Sequence, residues 1–142
     1  MKINTITYLP QEVLIVGNDE IISIPYIEIR TVTCDRPYII VKTINKKYQL
    51  AQILTGFCTK LPAFITQCNK SCYINLLHVS SIQKNRCGYE ANILGVSYPI
   101  ARRRIDEIKE NFLKIKTEIT ETGFCNVCVK CKVTDEHTFS YR

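Results

Sequence analysis

The stretch Phe64-Ile65-Thr66-Gln67-Cys68-Asn69-Lys70-Ser71-Cys72-Tyr73-Ile74-Asn75 sets two apolar pieces around a centre of hydrogen-bonding side chains. Phe64 to Cys68 and Cys72 to Leu76 have the β-branched and aromatic content of strands. Gln67, Asn69, Lys70 and Ser71 occupy the join. Lys70 and Ser71 have the chemistry that meets phosphate oxygens, whereas Asn69 and Gln67 can pair bidentately with an adenine edge. From composition alone, the same four residues also make an ordinary polar surface turn.

Moving toward the N-terminus, Val13 to Val16 and Ile21 to Ile24 are apolar runs separated by Gly17-Asn18-Asp19, the signature of a hairpin. Ile27, Ile29 and Thr31 alternate with Glu28 and Arg30, the period of a half-buried strand. Cys34-Asp35-Arg36-Pro37 interrupts it, and Tyr38 to Ile44 resumes, so a second hairpin presents Asp35 and Arg36 to solvent. Asn45-Lys46-Lys47 turns the chain again. Leu50, Ile53, Leu54 and Phe57 then fall at i, i+3, i+4 and i+7, which predicts one short amphipathic helix before Pro62.

Toward the C-terminus, Ser81 to Lys84 and Tyr89 to Leu94 read as strands around an Asn85 to Gly88 turn, and Gly95 closes that series. After Pro99 the pattern is helical: Ile105, Ile108, Phe112, Ile115 and Ile119 recur at spacings of three and four. Ile115 and Ile119 extend further than a cap on a small sheet domain requires, so they are open to core packing or to pairing with a second copy. The architecture predicted is mainly β, small antiparallel sheets packed as a sandwich with one short internal helix and a C-terminal helix. Residues 1–12 read as an N-terminal extension, 13–121 as the domain and 122–142 as a cysteine-rich tail.

The chain has 142 residues, with a 46% hydrophobic and a 23% charged fraction, values that exclude disordered and fibrous classes. No apolar run reaches the roughly 18 residues of a membrane span, and the N-terminus has no signal core, so the reading is cytoplasmic with no membrane partner. The eight cysteines are then read as reduced thiols. Lys and Arg number 19 against 13 acids, a net charge of +6 that favours anionic partners. Phosphate-loop, dinucleotide, nucleophile-elbow and metalloprotease motifs are missing, so the reading is non-catalytic. His78, at a strand end, reads as a partly buried imidazole.

Arg102-Arg103-Arg104 opens the last helix. Cations there oppose the positive end of the helix dipole, a conflict of about 0.3–1 kcal/mol each when exposed. Asp106 and Glu107 offset it internally. A bound phosphate offsets it as well, by meeting both guanidinium groups and the N–H groups that Ala101 has no side chain to cap.

From about Val13 to Phe112 these features resemble the LytTR-type DNA-binding domain, the effector module of many bacterial transcriptional regulators. The resemblance is carried by Phe64 followed by Lys70-Ser71-Cys72-Tyr73-Ile74-Asn75, then by Tyr98-Pro99-Ile100-Ala101-Arg102-Arg103 at the helix start. Ile24-Pro25-Tyr26-Ile27-Glu28 and Leu50 to Phe57 resemble the family's early strand and internal helix. The resemblance implies double-stranded DNA as partner, loops reaching into major grooves, and a homodimer on repeated half-sites. It places DNA contacts at Asn69 and Lys70, at Arg102 and Arg103, and at Arg36. Three loops would then supply one basic face. Many members carry histidine at the position of Asn69, arginine near Gln67, and serine at Ala101, so base readout here differs more than phosphate binding does. Residues 1–12 leave no room for a receiver domain before it.

Cys125-x-x-Cys128-x-x-Cys131, followed by His137, has the chelating spacing of a Cys3His zinc site. No other cofactor is implied, and an unliganded end is the plainer reading of the tail. The functional expectation is a sequence-specific DNA-binding transcriptional regulator without a receiver domain. Its alternatives are a metal- or redox-responsive regulator gated by the tail, and a module of the same fold that binds protein after losing DNA binding.

Overall fold

The computed structural model describes residues 2–122, with side chains through Glu118. The chain is mainly β: β1 (Ile3–Tyr8), β2 (Glu12–Gly17), β3 (Ile21–Pro25), β4 (Ile29–Asp35), β5 (Tyr38–Thr43), β6 (Lys47–Leu50), α1 (Leu54–Cys58), β7 (Ile65–Asn69), β8 (Cys72–Asn75), β9 (Ser81–Asn85), β10 (Gly88–Ile93), β11 (Val96–Ile100) and α2 (Ile105–Thr122). These divide into two compact units. Among the described residues, one unit holds residues 2–65 and Ser71–Asn75, and the other holds Thr66–Lys70 and residues 76–122.

The first unit contains the antiparallel sheet β1-β2-β3 and the antiparallel strands β6-β5-β4-β8. In β2, Val13 and Ile15 are fully buried while Leu14 and Val16 are half-buried, which gives the hairpin with β3 the alternation expected of a covered face. Residues 3–8, within the span read from the sequence as an extension, form β1. They pair with β2 from Ile3↔Gly17 to Tyr8↔Val13, and the Tyr8 hydroxyl donates to the Phe57 carbonyl at 3.1 Å.

The alternating strand expected from Ile27 begins only at Ile29, because Tyr26–Glu28 form a 3-10 turn. Its cause is tertiary. Tyr26 is buried with its hydroxyl donating to the Leu9 carbonyl at 2.7 Å, and the fully buried Asn75 amide donates to the Ile29 carbonyl at 2.8 Å and the Tyr26 carbonyl at 3.4 Å.

The internal helix is also shorter than the period predicts. Leu50 ends β6, paired with Ile39, and only Leu54–Cys58 are helical. Leu50, Leu54 and Phe57 are all buried, whereas Ile53 is 77% exposed. A strand end and a single helical turn feed the same core, and together they imitate one helical stripe.

In the second unit, strands in the order β11-β10-β9 form an antiparallel sheet. Buried Leu76, Leu77, Val79, Ala91, Ile93, Ile100 and Ile108 make its core. Gly95 does not end the series but turns it: Asn92 Oδ1 accepts the Gly95 N–H at 3.0 Å, and Leu94 and Gly95 take φ of 50° and 81°. The strand that follows, β11, contains Pro99, which lacks an amide donor and suits an edge position. The last helix is preceded by a separate 3-10 turn, Arg102–Arg104. Along α2, Ile108 is fully buried, Phe112 and Ile115 are half-buried, and Leu113 faces solvent.

Candidate nucleic-acid interface

Two hydrogen bonds join the end of β7 to the end of β11. The Ala101 N–H donates to the Cys68 carbonyl at 2.7 Å, and the Asn69 amide donates to the Pro99 carbonyl at 2.7 Å. Asn69 and Lys70 on one segment are thereby brought beside Ala101, Arg102 and Arg103 on another, thirty residues away. Lys70, Arg102 and Arg103 are exposed, and Asn69 is half-buried. Cations with full access to solvent next to a backbone fixed by two short bonds can meet phosphate oxygens with little reorganisation.

Ala101 is extended (φ −62°, ψ 139°) and gives no side-chain cap to the turn that follows, where the Arg104 N–H donates back to the Ala101 carbonyl at 2.8 Å. Asp106 and Glu107 lie in the first turn of α2. The charge conflict read from the sequence is thus spread over two elements, with the three arginines on the 3-10 turn and the acids on the helix proper.

Arg36 belongs to the first unit. It sits in the β4–β5 loop with Asp35 and Pro37, all three exposed, and the Arg36–Pro37 peptide is cis. The Cys34 N–H donates to the Ser71 carbonyl at 3.0 Å. Within this unit the Ser71 turn therefore lies at the end of β4 from which the Arg36 loop departs.

Three cations of the second unit are not singled out by the sequence pattern. Lys84 lies near the end of β9, Arg86 occupies the β9–β10 turn, and Lys109 of α2 places Nζ 4.0 Å from the Tyr89 ring centroid. A hydrogen bond from Lys109, and then its charge, hold the Tyr89 phenol below its ordinary pKa, with Lys84 adding to the effect. Only the pairing of β9, β10 and β11 reveals this grouping, because Lys109 lies off the apolar stripe.

Other reactive groups are accounted for by packing. Burial pushes the Cys58 thiol up from 9.0 to about 12. His78 is half-buried at the end of a 3-10 turn. Among the described residues no cluster of three His, Cys, Asp or Glu is arranged for a metal ion. Cys125, Cys128, Cys131 and His137 lie outside the described residues. No described helix is long and apolar enough to cross a membrane.

Residues 19–113 match the family model of the LytTr DNA-binding domain. The chain belongs to the LytTR family of DNA-binding domains. Among solved structures, this LytTR domain is similar to the LytTr DNA-binding domain of a Bacillus cereus chain described as a methyl-accepting/DNA response regulator. The two share 16% identity at a TM-score of 0.60, covering 72% of this chain and 96% of that one. That likeness bears on the fold. No curated protein matches the chain. The matched span takes in Arg36, the Asn69–Lys70 segment and Arg102–Arg103.

Proposed function

We propose that this LytTR domain is a sequence-specific transcriptional regulator that reads duplex DNA through its loops. The observation that carries the proposal is the tie between β7 and β11, which sets Lys70 beside Arg102 in one compact unit. Lys70, Arg102 and Arg103 supply phosphate contacts that release counterions. Arg36 and Asn69 approach base edges in the major groove, where guanidinium and amide groups have donor and acceptor patterns to match. Asn69 does this with its orientation already set by Pro99. The domain acts as a homodimer on repeated half-sites, as membership of the family implies, and no catalytic step is part of its role.

The test is enrichment of random duplexes on the purified protein at two salt concentrations, followed by sequencing. The expected result is a repeated half-site and an affinity that falls steeply with salt. Bound fragments with no shared sequence would overturn specific recognition, and affinity independent of salt would overturn the phosphate contacts.

A further inference from the structure

The second unit carries a basic group beyond the residues assigned above. Tyr89 of β10 lies opposite Ile100 of β11 on one side and opposite Lys84 of β9 on the other. Directly opposed residues share a sheet face, so Ile100, Tyr89 and Lys84 stand in a row. Lys109 from α2 lies over the middle of that row, against the Tyr89 ring. Its charge and that of Lys84 both act on the phenol, and Asp106 opposes them.

The β9–β10 turn adds Arg86 at the same end of the sheet, since Asn85 pairs with Gly88 one step beyond Lys84 and Tyr89. Asn85 shapes this turn twice. Its Oδ1 accepts the Cys87 N–H at 2.8 Å, and its Nδ2 donates to Glu90 Oε2 at 2.9 Å. The Glu90 carboxylate is thereby engaged by an amide, while Arg86 and Lys84 stay exposed.

This end of the sheet is also where β11 leaves for Ala101 and Arg102. With neighbouring strands about 4.8 Å apart, Lys84 lies about 10 Å from Ile100 across the sheet. Arg102 follows Ile100 by two residues. Like charges gathered on one small face repel each other, and an external anion relieves that repulsion.

We propose that Lys84, Arg86 and Lys109 form a second phosphate-binding patch, which grips the duplex backbone separately from the phosphate held at Arg102. The patch rests on the DNA-binding reading above and extends it to a hairpin that reads no bases. Lys84 and Arg86 contact phosphate directly. Lys109 adds charge while its ammonium stays over the Tyr89 ring.

The test compares wild type, Arg102→Ala and the double variant Lys84→Gln/Arg86→Gln on a labelled duplex of random sequence and on an enriched one, between about 50 and 200 mM salt. Without its two phosphate ligands the double variant has a salt slope smaller in magnitude by about 1.8, so the fall in affinity over that range shrinks roughly 12-fold. Base preference stays as in wild type. Each single substitution gives about half the change in slope. An unchanged slope in the double variant, with Arg102→Ala still lowering it, overturns the patch alone. Failure of wild type to bind either duplex overturns the DNA-binding reading along with it. The urea midpoint of each variant, expected to equal wild type for these exposed side chains, shows that the binding change does not come from unfolding.

Discussion

The side-chain amide of Asn69 donates to the carbonyl of Pro99 at 2.7 Å, so a residue with the chemistry of a base reader also fastens one strand end to another. Its position relative to Arg102 is set before any DNA arrives. Asn69→Asp keeps the shape but turns a carboxylate oxygen toward the Pro99 carbonyl. At this solvent-accessible site the change costs about 1 kcal/mol of stability and weakens binding to every duplex. Urea unfolding and titration on random and enriched duplexes check both effects; wild-type stability would remove the fastening role.

Arg102→Ala tests the phosphate role directly. Removing a single guanidinium–phosphate interaction lowers the magnitude of the salt slope by about one unit, with equal effect on cognate and random sequences. A change of sequence preference without a change of slope would reassign Arg102 to base reading.

Asn75 is fully buried and bonds two carbonyls of the Tyr26–Ile29 segment. Asn75→Ala takes away both donors and opens space in the core, at a cost of about 2–4 kcal/mol. The urea midpoint drops accordingly, while the fraction still folded keeps its DNA preference. A loss of preference at unchanged stability would make Asn75 a contact residue.

Cys58 ionises near 9.0 when exposed and at about 12 in the fold. Between those values the unfolded chain has released the proton and the folded chain has not, so stability declines as pH rises. The slope from this thiol is at most about 1.4 kcal/mol per pH unit. Tyr8, pushed up to about 12 by burial, acts in the same direction with less weight because part of its surface meets solvent. Unfolding free energies of wild type and Cys58→Val, measured from about pH 8 to pH 11, should diverge in this way. Parallel curves would contradict it.

Gly88 takes φ of +136°, and a Cβ built there meets nothing within 4 Å. The penalty for Gly88→Ala is therefore backbone strain alone, about 1–3 kcal/mol. Thermal unfolding reads it as a lowered midpoint.

Much of this molecule was legible in one dimension. The β2–β3 and β4–β5 hairpins follow from Gly17-Asn18-Asp19 and Asp35-Arg36-Pro37 between apolar runs, because turn chemistry and strand alternation are local. The order Phe64, Lys70-Ser71, Asn75, then Pro99 and Arg102-Arg103, carried the family resemblance. Local signals misled at two places. β1 has little alternation of its own and exists by pairing with β2. Leu50 counted toward a helix because a strand end and a helical turn bury residues in one core.

From its residues alone, then, the chain determined a mainly β fold, a basic balance and the segments that carry cations, since turns, alternation and charge are properties of neighbours in sequence. Only the tertiary structure decided which of those cations stand together. The Asn69 bond to Pro99 joins residues thirty apart in sequence, and Lys109 of α2 reaches the Lys84–Tyr89–Ile100 row from a separate element; packing between elements, which local turns and alternation do not encode, sets their company.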